Sequence, residues 1–170
     1  MTYYDGIAGS YKELYGEEQI NKLNIIKKNI KISKSTKILD VGCGTGISSG
    51  FKCFIVGVDP SSESLRQNKS IRVMSIAEAL PFKDNIFDYV ISITAIHNFT
   101  DIRKSIEEML RVGKHNFVLT VLKKSKKFDS IKRLIEKKFM IDKMMEEDKD
   151  VIFFCHKTVN YKPTITNYNL

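Results

Sequence analysis

The chain of 170 residues lacks several features that define other classes of protein. Its three cysteines, Cys43, Cys53 and Cys155, form no CxxC pair, which argues against a disulfide framework and against a cysteine-rich zinc site. No run reaches the about eighteen uncharged apolar residues of a membrane span, so we expect no membrane segment. The start, MTYYDGIAGSYKELYGEE, lacks the basic-then-apolar order of a secretion signal. We therefore expect a cytoplasmic protein.

The composition indicates one globular domain with a single functional site. Apolar residues make up 42% of the chain and charged residues 28%, which excludes a wholly disordered or collagen-like protein. The formal net charge is +8, and the excess is concentrated between Lys123 and Lys138, where eight Lys or Arg stand against Asp129 and Glu136. Such a stretch is either a solvated helix face or a surface that contacts an anion such as RNA. Both interpretations stay open from the sequence.

Short apolar runs alternate with helical periodicity along the chain. The seven predicted strands cover residues 37–42, 54–59, 71–76, 87–94, 116–123, 140–146 and 151–156. The predicted helices run from Glu17 to near Ser33, with Ile20 on the apolar face, from Asp101 to Gly113, and around 128–135. This order predicts an α/β fold: a single-domain, Rossmann-like, doubly wound sheet that is mostly parallel and has an antiparallel last strand.

A glycine loop follows the first predicted strand, where Gly42, Gly44 and Gly46 occupy alternate positions. The dinucleotide pattern GxGxxG would need glycine at 47, where Ile47 stands, and the GK[ST] ending of a phosphate-binding loop is absent. Asp59 ends the next strand, where a carboxylate can accept hydrogen bonds from ribose hydroxyls. Because ligands of open parallel sheets bind beyond the C-terminal strand ends, these two features predict a nucleoside ligand without a phosphate requirement.

Five segments in this order make the chain resemble the class I S-adenosylmethionine-dependent methyltransferases. The segments are ILDVGCGTG (38–46), VGVDPS (56–61), AEALPF (77–82), FDYVIS (87–92) and EMLRVGKHNFVLTVLK (108–123). The resemblance covers residues 36–156 and implies the minimal seven-strand methyltransferase architecture with S-adenosylmethionine as cofactor. It implies an N-terminal lid segment and helix at 1–35, a methyltransferase domain at 36–157 and a C-terminal tail at 158–170.

The resemblance also implies roles for individual residues. The glycine loop, including Cys43, would pack against the methionine and ribose part of the cofactor, and Asp40 would order its amino group. Asp59 would hold the ribose hydroxyls, and Thr94 to His97 would face the methyl group. The residues expected near the adenine are Pro60, Ser61, Ala77 and Glu78. The residues of the N-terminal segment expected to fold over the cofactor, or else to pack the first helix, are Tyr3, Tyr4, Tyr11 and Tyr15.

Two positions depart from the family pattern. Family members often have an aspartate at the position of Ile76, where it meets the adenine amino group. Asp59 follows Gly46 by only thirteen positions, so the helix between the first two strands should be little more than a turn at 47–50. A shorter helix contributes less of the favourable dipole at the glycine loop.

The methyl acceptor is indicated mainly by exclusion. Enzymes that methylate adenine amines or amides typically carry [DN]PP[YFW] after the fourth strand, whereas residues 94–97 of this chain are TAIH, so that class of acceptor is disfavoured. Methylation at cytosine C5 is disfavoured as well, because no cysteine is placed for it. His97 is the candidate for acid–base or orienting work, although it could instead only close the cofactor pocket. No metal is required, because methyl transfer from a sulfonium is an in-line displacement.

The segments SITA (92–95) and IHNF (96–99) resemble those of tRNA wobble-uridine and of quinone-pathway methyltransferases. We rank tRNA or another RNA first as acceptor, because the chain has no long insertion to enclose a small substrate. A small molecule ranks second and a protein side chain third. A cofactor-binding subunit that needs a protein partner for activity is a further alternative.

Overall fold

A computed structural model describes the backbone of residues 8–158 and the side chains of residues 16–158. The strands, numbered in chain order, are β1 (Lys37–Val41), β2 (Phe54–Asp59), β3 (Ile71–Met74), β4 (Phe87–Ser92), β5 (Gly113–Leu122), β6 (Phe139–Glu146) and β7 (Asp150–Lys157). The helices are α1 (Ala8–Asn29), α2 (Ser62–Gln67), α3 (Ile102–Val112) and α4 (Phe128–Lys138). Two 3₁₀ turns lie at Ile47–Gly50 and Ile96–Asn98.

The seven strands form one sheet in the order β3-β2-β1-β4-β5-β7-β6. Strands β1 to β5 pair in parallel, and β7 is antiparallel to both of its neighbours. This confirms the predicted mostly parallel Rossmann-like sheet with an antiparallel last strand. The strand order reverses between β1 and β4, which is the topological switch point where such sheets bind ligands.

Each face of the sheet carries its own apolar core. Helix α1 packs Leu23 and Ile26 against residues of β1, β2, β4, β5 and β7 on one face. Helices α3 and α4 pack residues such as Ile106, Met109 and Ile131 on the other face. Strands covered on both faces read as continuous apolar runs, which is why the sequence located them to within a few residues. Strands β3 and β4 end two residues earlier than predicted, and β5 begins three residues earlier.

Helix α1 begins at Ala8 and ends at Asn29, earlier than the predicted range at both ends. The prediction that Ile20 lies on its apolar face is wrong, since Ile20 is 53% exposed and Lys22 is buried instead. The short 3₁₀ turn at 47–50 was expected from the spacing. A Cβ atom added to Gly50 would lie only 2.8 Å from Leu23 Cδ2, which shows that the turn packs closely against α1.

The limits of α3 match the sequence signals. The carboxylate of Asp101 accepts a hydrogen bond from the amide of Lys104 at 3.0 Å, and the helix ends at Val112 with Gly113 as its C-cap. Helix α2 was not predicted, because its six residues bury only Leu65 and give no periodicity. Within residues 8–158, no helix combines the length and apolar character needed to cross a membrane.

Candidate functional site

The glycine loop after β1 is held in a conformation that favours glycine. Gly42, Gly44 and Gly46 have φ angles of +78°, +50° and +88°. A Cβ atom at Gly42 would collide with Ala95, and one at Gly46 would collide with Asn68. At Gly44, by contrast, no described atom lies within 4 Å of the Cβ position. The loop therefore packs tightly at both ends and borders open space at its middle.

The carboxylate of Asp59 joins this loop to the start of the next one. Its Oδ2 accepts a hydrogen bond from the Gly44 amide at 2.9 Å, and its Oδ1 accepts one from the Ser61 amide at 2.8 Å. The side chain is half-buried at the end of β2, and Pro60 beside it is exposed. Each carboxylate oxygen has a second lone pair, so Asp59 can still accept hydrogen bonds from a ligand's hydroxyls.

Asp40 is the buried carboxyl group of the site, with 1% of its surface exposed. Its Oδ1 has no hydrogen-bond partner among the described residues. Burial raises the pKa of Asp40 to about 7; a hydrogen bond with the Ser48 side chain lowers it, and the nearby charge of Asp59 raises it further. An unpaired buried carboxylate is costly, so this position suits a cationic ligand group such as an amino group. The residues present thus fit S-adenosylmethionine.

Residues after β3 lie at the same edge of the sheet. Ala77 is buried, whereas Ile76 is 51% exposed. Oε1 of Glu78 accepts hydrogen bonds from the amides of Thr100 and Asp101, at 2.8 Å and 3.0 Å. This carboxylate therefore supports the backbone that leads into α3, and its second oxygen is the one left for a ligand.

The loop after β4 brings Thr94 and His97 to the site. Thr94 has a φ of +54°, which is unusual for a β-branched residue. His97 lies on the second 3₁₀ turn, and its Nδ1 is buried without a partner among the described residues. Burial lowers the pKa of His97, as do the charges of Lys127 and Lys22, while Asp150 acts against them. A neutral imidazole is therefore favoured near neutral pH.

Two groups of the site were missed by sequence reasoning. Asn68 is 2% exposed, and its Nδ2 lies 3.3 Å from the Cys43 sulfur, beneath the glycine loop. No pattern in the sequence marked it. Lys22 and Asp150 are fully buried and contact each other. A lysine four residues before the apolar Ile26 was the only available signal.

Cys43 is 5% exposed, and burial raises the pKa of its thiol to about 12, with the charges of Asp40 and Asp59 adding to the effect. Such a thiol is not a nucleophile near neutral pH. Its sulfur packs against Gly57, where an added Cβ atom would lie 2.6 Å away. Cys43 therefore serves packing behind the loop. The side chains of Tyr11 and Tyr15, and all of Tyr3 and Tyr4, lie outside the described residues.

Three carboxylates, of Glu18, Glu147 and Asp150, have oxygens within 4.8 Å of one another, as in a metal site. The ammonium of Lys22 lies among them, 3.5 Å from Glu18 and 4.0 Å from Glu147, and it contacts Asp150. The cation of this cluster is thus a side chain of the protein itself.

Part of the basic stretch at 123–138 borders the site. Nζ of Lys127 donates a hydrogen bond to the backbone oxygen of His97 at 3.2 Å. Other basic residues of the stretch are engaged elsewhere, for example Lys138 with Glu107 at 2.8 Å. Lys124 and Lys126 are exposed at the start of the stretch. Positive charge therefore lies beside the predicted catalytic residue.

Comparison with known proteins identifies a family. The family described as "Methyltransferase domain" matches residues 39–121. An uncharacterized protein of Methanocaldococcus jannaschii is 37% identical over 127 residues, which is 70% of this chain and 50% of that protein. The uncharacterized methyltransferase YcgJ of Bacillus subtilis is 30% identical over 122 residues, 61% of this chain and 48% of its own length. A demethylmenaquinone methyltransferase of Staphylococcus aureus is 32% identical over 115 residues, 59% of this chain and 48% of its own.

Solved structures share the fold. The crystal structure of YcgJ gives a TM-score of 0.57 at 27% identity, covering 60% of this chain and 50% of that one. A SAM-dependent methyltransferase of Aquifex aeolicus gives 0.67 at 17% identity, over 80% and 89% of the two chains. A complex between the Haloferax volcanii Trm112 methyltransferase activator and a methyltransferase gives 0.72 at 12% identity, over 92% and 98%. The chain spans about half the length of the first two curated relatives.

Proposed function

Because this chain belongs to the class I family of S-adenosylmethionine-dependent methyltransferases, we propose that it transfers a methyl group from that cofactor to an acceptor, of which RNA is the first candidate. The observation that carries the proposal is the pair of carboxylates at the switch point. Asp59 offers hydrogen-bond acceptors for ribose hydroxyls beside the open side of Gly44. Asp40 offers an unpaired buried oxygen for the amino group.

The residues of the chain have simple tasks in this reaction. S-adenosylmethionine, when bound, supplies a methyl group on a positively charged sulfur. Since in-line transfer of that group needs little more than alignment, the protein would mainly hold the acceptor atom in line with the methyl group and exclude water. Where the acceptor atom carries a proton, His97 is the proposed base, since its buried Nδ1 has no partner in the described structure and its pKa is lowered.

The charge beside His97 supports an RNA acceptor. Lys127 contacts the backbone of His97, and the exposed Lys124 and Lys126 precede it. Phosphates held by these side chains would bring a nucleotide to the methyl group, and the RNA itself would close the site. Lys and Arg contacts to phosphates provide most of the affinity in such complexes.

A small molecule is the second candidate acceptor. It is favoured by the demethylmenaquinone methyltransferase of Staphylococcus aureus, which matches 59% of this chain. A quinone-like acceptor would need an apolar surface over the site, and the N-terminal segment with Tyr3, Tyr4 and Tyr11 is the candidate for that cover.

A protein partner is a further candidate requirement for activity. Strand β3 has only β2 as a neighbour within the described part of the chain, and three apolar residues near it are at least half exposed. They are Ile71, Met74 and Ile76. The Haloferax methyltransferase of similar fold is bound to an activator subunit, which supports a comparable arrangement here.

Transfer of a labelled methyl group to separated RNA, small-molecule and protein pools of the source cell tests these alternatives together. Label in RNA is expected, and the Asp59→Ala variant should transfer far less. Label confined to the lipid-soluble pool would replace RNA with a quinone-like acceptor. Label that appears only when cell extract is added to the purified chain would indicate a partner subunit. A chain that binds no S-adenosylmethionine would refute the proposed function.

A further inference from the structure

A buried ion pair links α1 to the start of β7. The side chains of Lys22 and Asp150 are both fully buried, and the ammonium contacts the carboxylate. Glu18 and Glu147 lie 3.5 Å and 4.0 Å from the same ammonium. A buried pair of this kind often adds little net stability, because both charges must leave water. Its position next to the cofactor site suggests a different use.

Both members of the pair hold the side chain of Thr94. The Thr94 hydroxyl accepts a hydrogen bond from Lys22 Nζ at 2.7 Å and donates one to Asp150 Oδ2 at 2.9 Å. The Thr94 amide donates to the hydroxyl of Thr120 at 2.6 Å. Thr94 therefore has three anchors, from α1, β5 and β7.

The anchored residue has a backbone conformation that its own side chain disfavours. Its φ of +54° is in the left-handed region, where a β-branched residue persists only if its surroundings hold it. The next residue, Ala95, packs against Gly42, where an added Cβ atom would collide with it. His97 follows on the same 3₁₀ turn. The backbone conformation of Thr94 therefore determines the positions of Ala95, which contacts the glycine loop, and of the His97 imidazole.

We infer that Lys22 and Asp150 are positioning residues that hold Thr94 in the left-handed conformation and thereby fix the loop after β4 against the glycine loop. The inference rests on the proposed function in one respect, namely that the space between these two loops is the cofactor site. The side chains of Lys22 and Asp150 have no exposed surface and both contact the Thr94 hydroxyl, so we assign their effect on the site to Thr94. Helix α1 thus supports the site through Lys22, which holds Thr94 in place and has no predicted contact with a ligand.

The experiment replaces both charges, with Lys22→Met and Asp150→Asn in one protein, and measures the affinity for S-adenosylhomocysteine by calorimetry. A loss of at least tenfold is expected, because the loop is no longer held before the ligand binds. The matched control is Lys114→Met with Asp88→Asn, which removes an exposed ion pair of 2.8 Å at the opposite end of β4. Its affinity should stay within twofold of the wild type.

A rescue separates positioning from a general loss of structure. Asparagine adopts the left-handed conformation more readily than threonine, so adding Thr94→Asn to the Lys22→Met, Asp150→Asn protein should recover at least threefold in affinity. The inference would be overturned if the Lys22→Met, Asp150→Asn protein kept its affinity for S-adenosylhomocysteine, or if Thr94→Asn did not reduce the loss. A wild type that fails to bind S-adenosylhomocysteine would instead overturn the proposed function.

If the Lys22→Met, Asp150→Asn protein does not fold, Thr120→Val tests whether anchoring of Thr94 matters for cofactor binding. This variant removes the acceptor of the Thr94 amide with little change in volume and leaves the ion pair intact. We expect a folded protein whose affinity for S-adenosylhomocysteine falls at least fivefold. Affinity equal to that of the wild type would contradict the inference.

Discussion

Replacing Asp40 by asparagine should stabilise the protein at alkaline pH while weakening cofactor binding. Burial is the main reason that the pKa of Asp40 rises from its ordinary value of 3.8 to about 7. Between these two values the folded chain keeps a proton that the unfolded chain has lost. Stability contributed by this group is therefore complete below about pH 4 and is lost as the pH rises through 7.

The magnitude follows from the same two values. A tenfold change in an ionisation equilibrium is worth about 1.4 kcal/mol, so the difference between 3.8 and about 7 corresponds to about 4 kcal/mol. Asparagine has nearly the same shape and no charge to bury. The free energy of unfolding of Asp40→Asn should exceed that of the wild type by up to about 4 kcal/mol at pH 8, and the gain should vanish near pH 4.

Urea unfolding of both proteins at pH 4.5, 6 and 8 measures this difference directly. Asp88→Asn is the matched control, because hydrogen bonds from Lys114 and from the backbone of Lys37 lower the pKa of Asp88. Since the pKa of Asp88 is lowered below its ordinary value of 3.8, its charge persists at all three pH values, and this substitution should cost a similar amount of stability at each of them. A stability difference for Asp40→Asn that is the same at all three pH values would refute the reasoning.

The same variant should bind S-adenosylhomocysteine about 10- to 100-fold more weakly than the wild type, since a hydrogen bond to a charged group is worth about 1.5–3 kcal/mol. Wild-type affinity should increase as the pH rises through about 7, because the free protein must ionise Asp40 to receive the amino group. Calorimetry across this range checks both expectations. A variant that is more stable and binds equally well would show that Asp40 has no part in the site.

Three further predictions concern the site and its partner. Asp59→Ala should weaken cofactor binding by about 1–3 kcal/mol in calorimetry, and equal binding would remove this carboxylate from the site. His97→Ala should keep cofactor affinity within a few-fold but reduce methyl transfer by about a hundredfold, whereas a parallel loss of both would make His97 a pocket residue. Lys124→Glu with Lys126→Glu should lower RNA affinity and make the slope of log K against log salt shallower, by about 0.7–0.9 for each phosphate that the protein no longer neutralises. Lys28→Glu, on the exposed side of α1, is the control, and an unchanged slope in the double variant would favour a small-molecule acceptor.

The fold could be predicted because its signals are local. Strands buried on both faces give continuous apolar runs, and the Asp101 cap and the stop at Gly113 use chemistry within one turn of the helix. The glycine loop and Asp59 likewise stand in fixed order at strand ends. The structure shows these features at nearly the positions predicted from the sequence.

The parts that were missed depend on contacts between distant segments. Periodicity placed Ile20 on the buried face of α1, yet a lysine is buried there because Asp150, far along the chain, neutralises it. The partners of Glu78 are backbone amides ahead of α3, which no residue pattern reveals. Asn68 is buried because Gly46 leaves room for it, a complementarity of shape that becomes visible only in three dimensions.

The short turn between β1 and β2 has a consequence for the independence of the sheet. In a doubly wound fold the crossover between the first two strands usually supplies a helix that covers them, but here four residues of 3₁₀ turn leave that face to α1. A chain that began at residue 36 would lack α1 and would expose the side chains of Ile38, Phe51 and Ile55 to solvent. The first helix is thus an integral wall of the β-sheet rather than an appendage, and any fusion or truncation that displaces it would be expected to unfold the strands that carry Asp40 and Asp59.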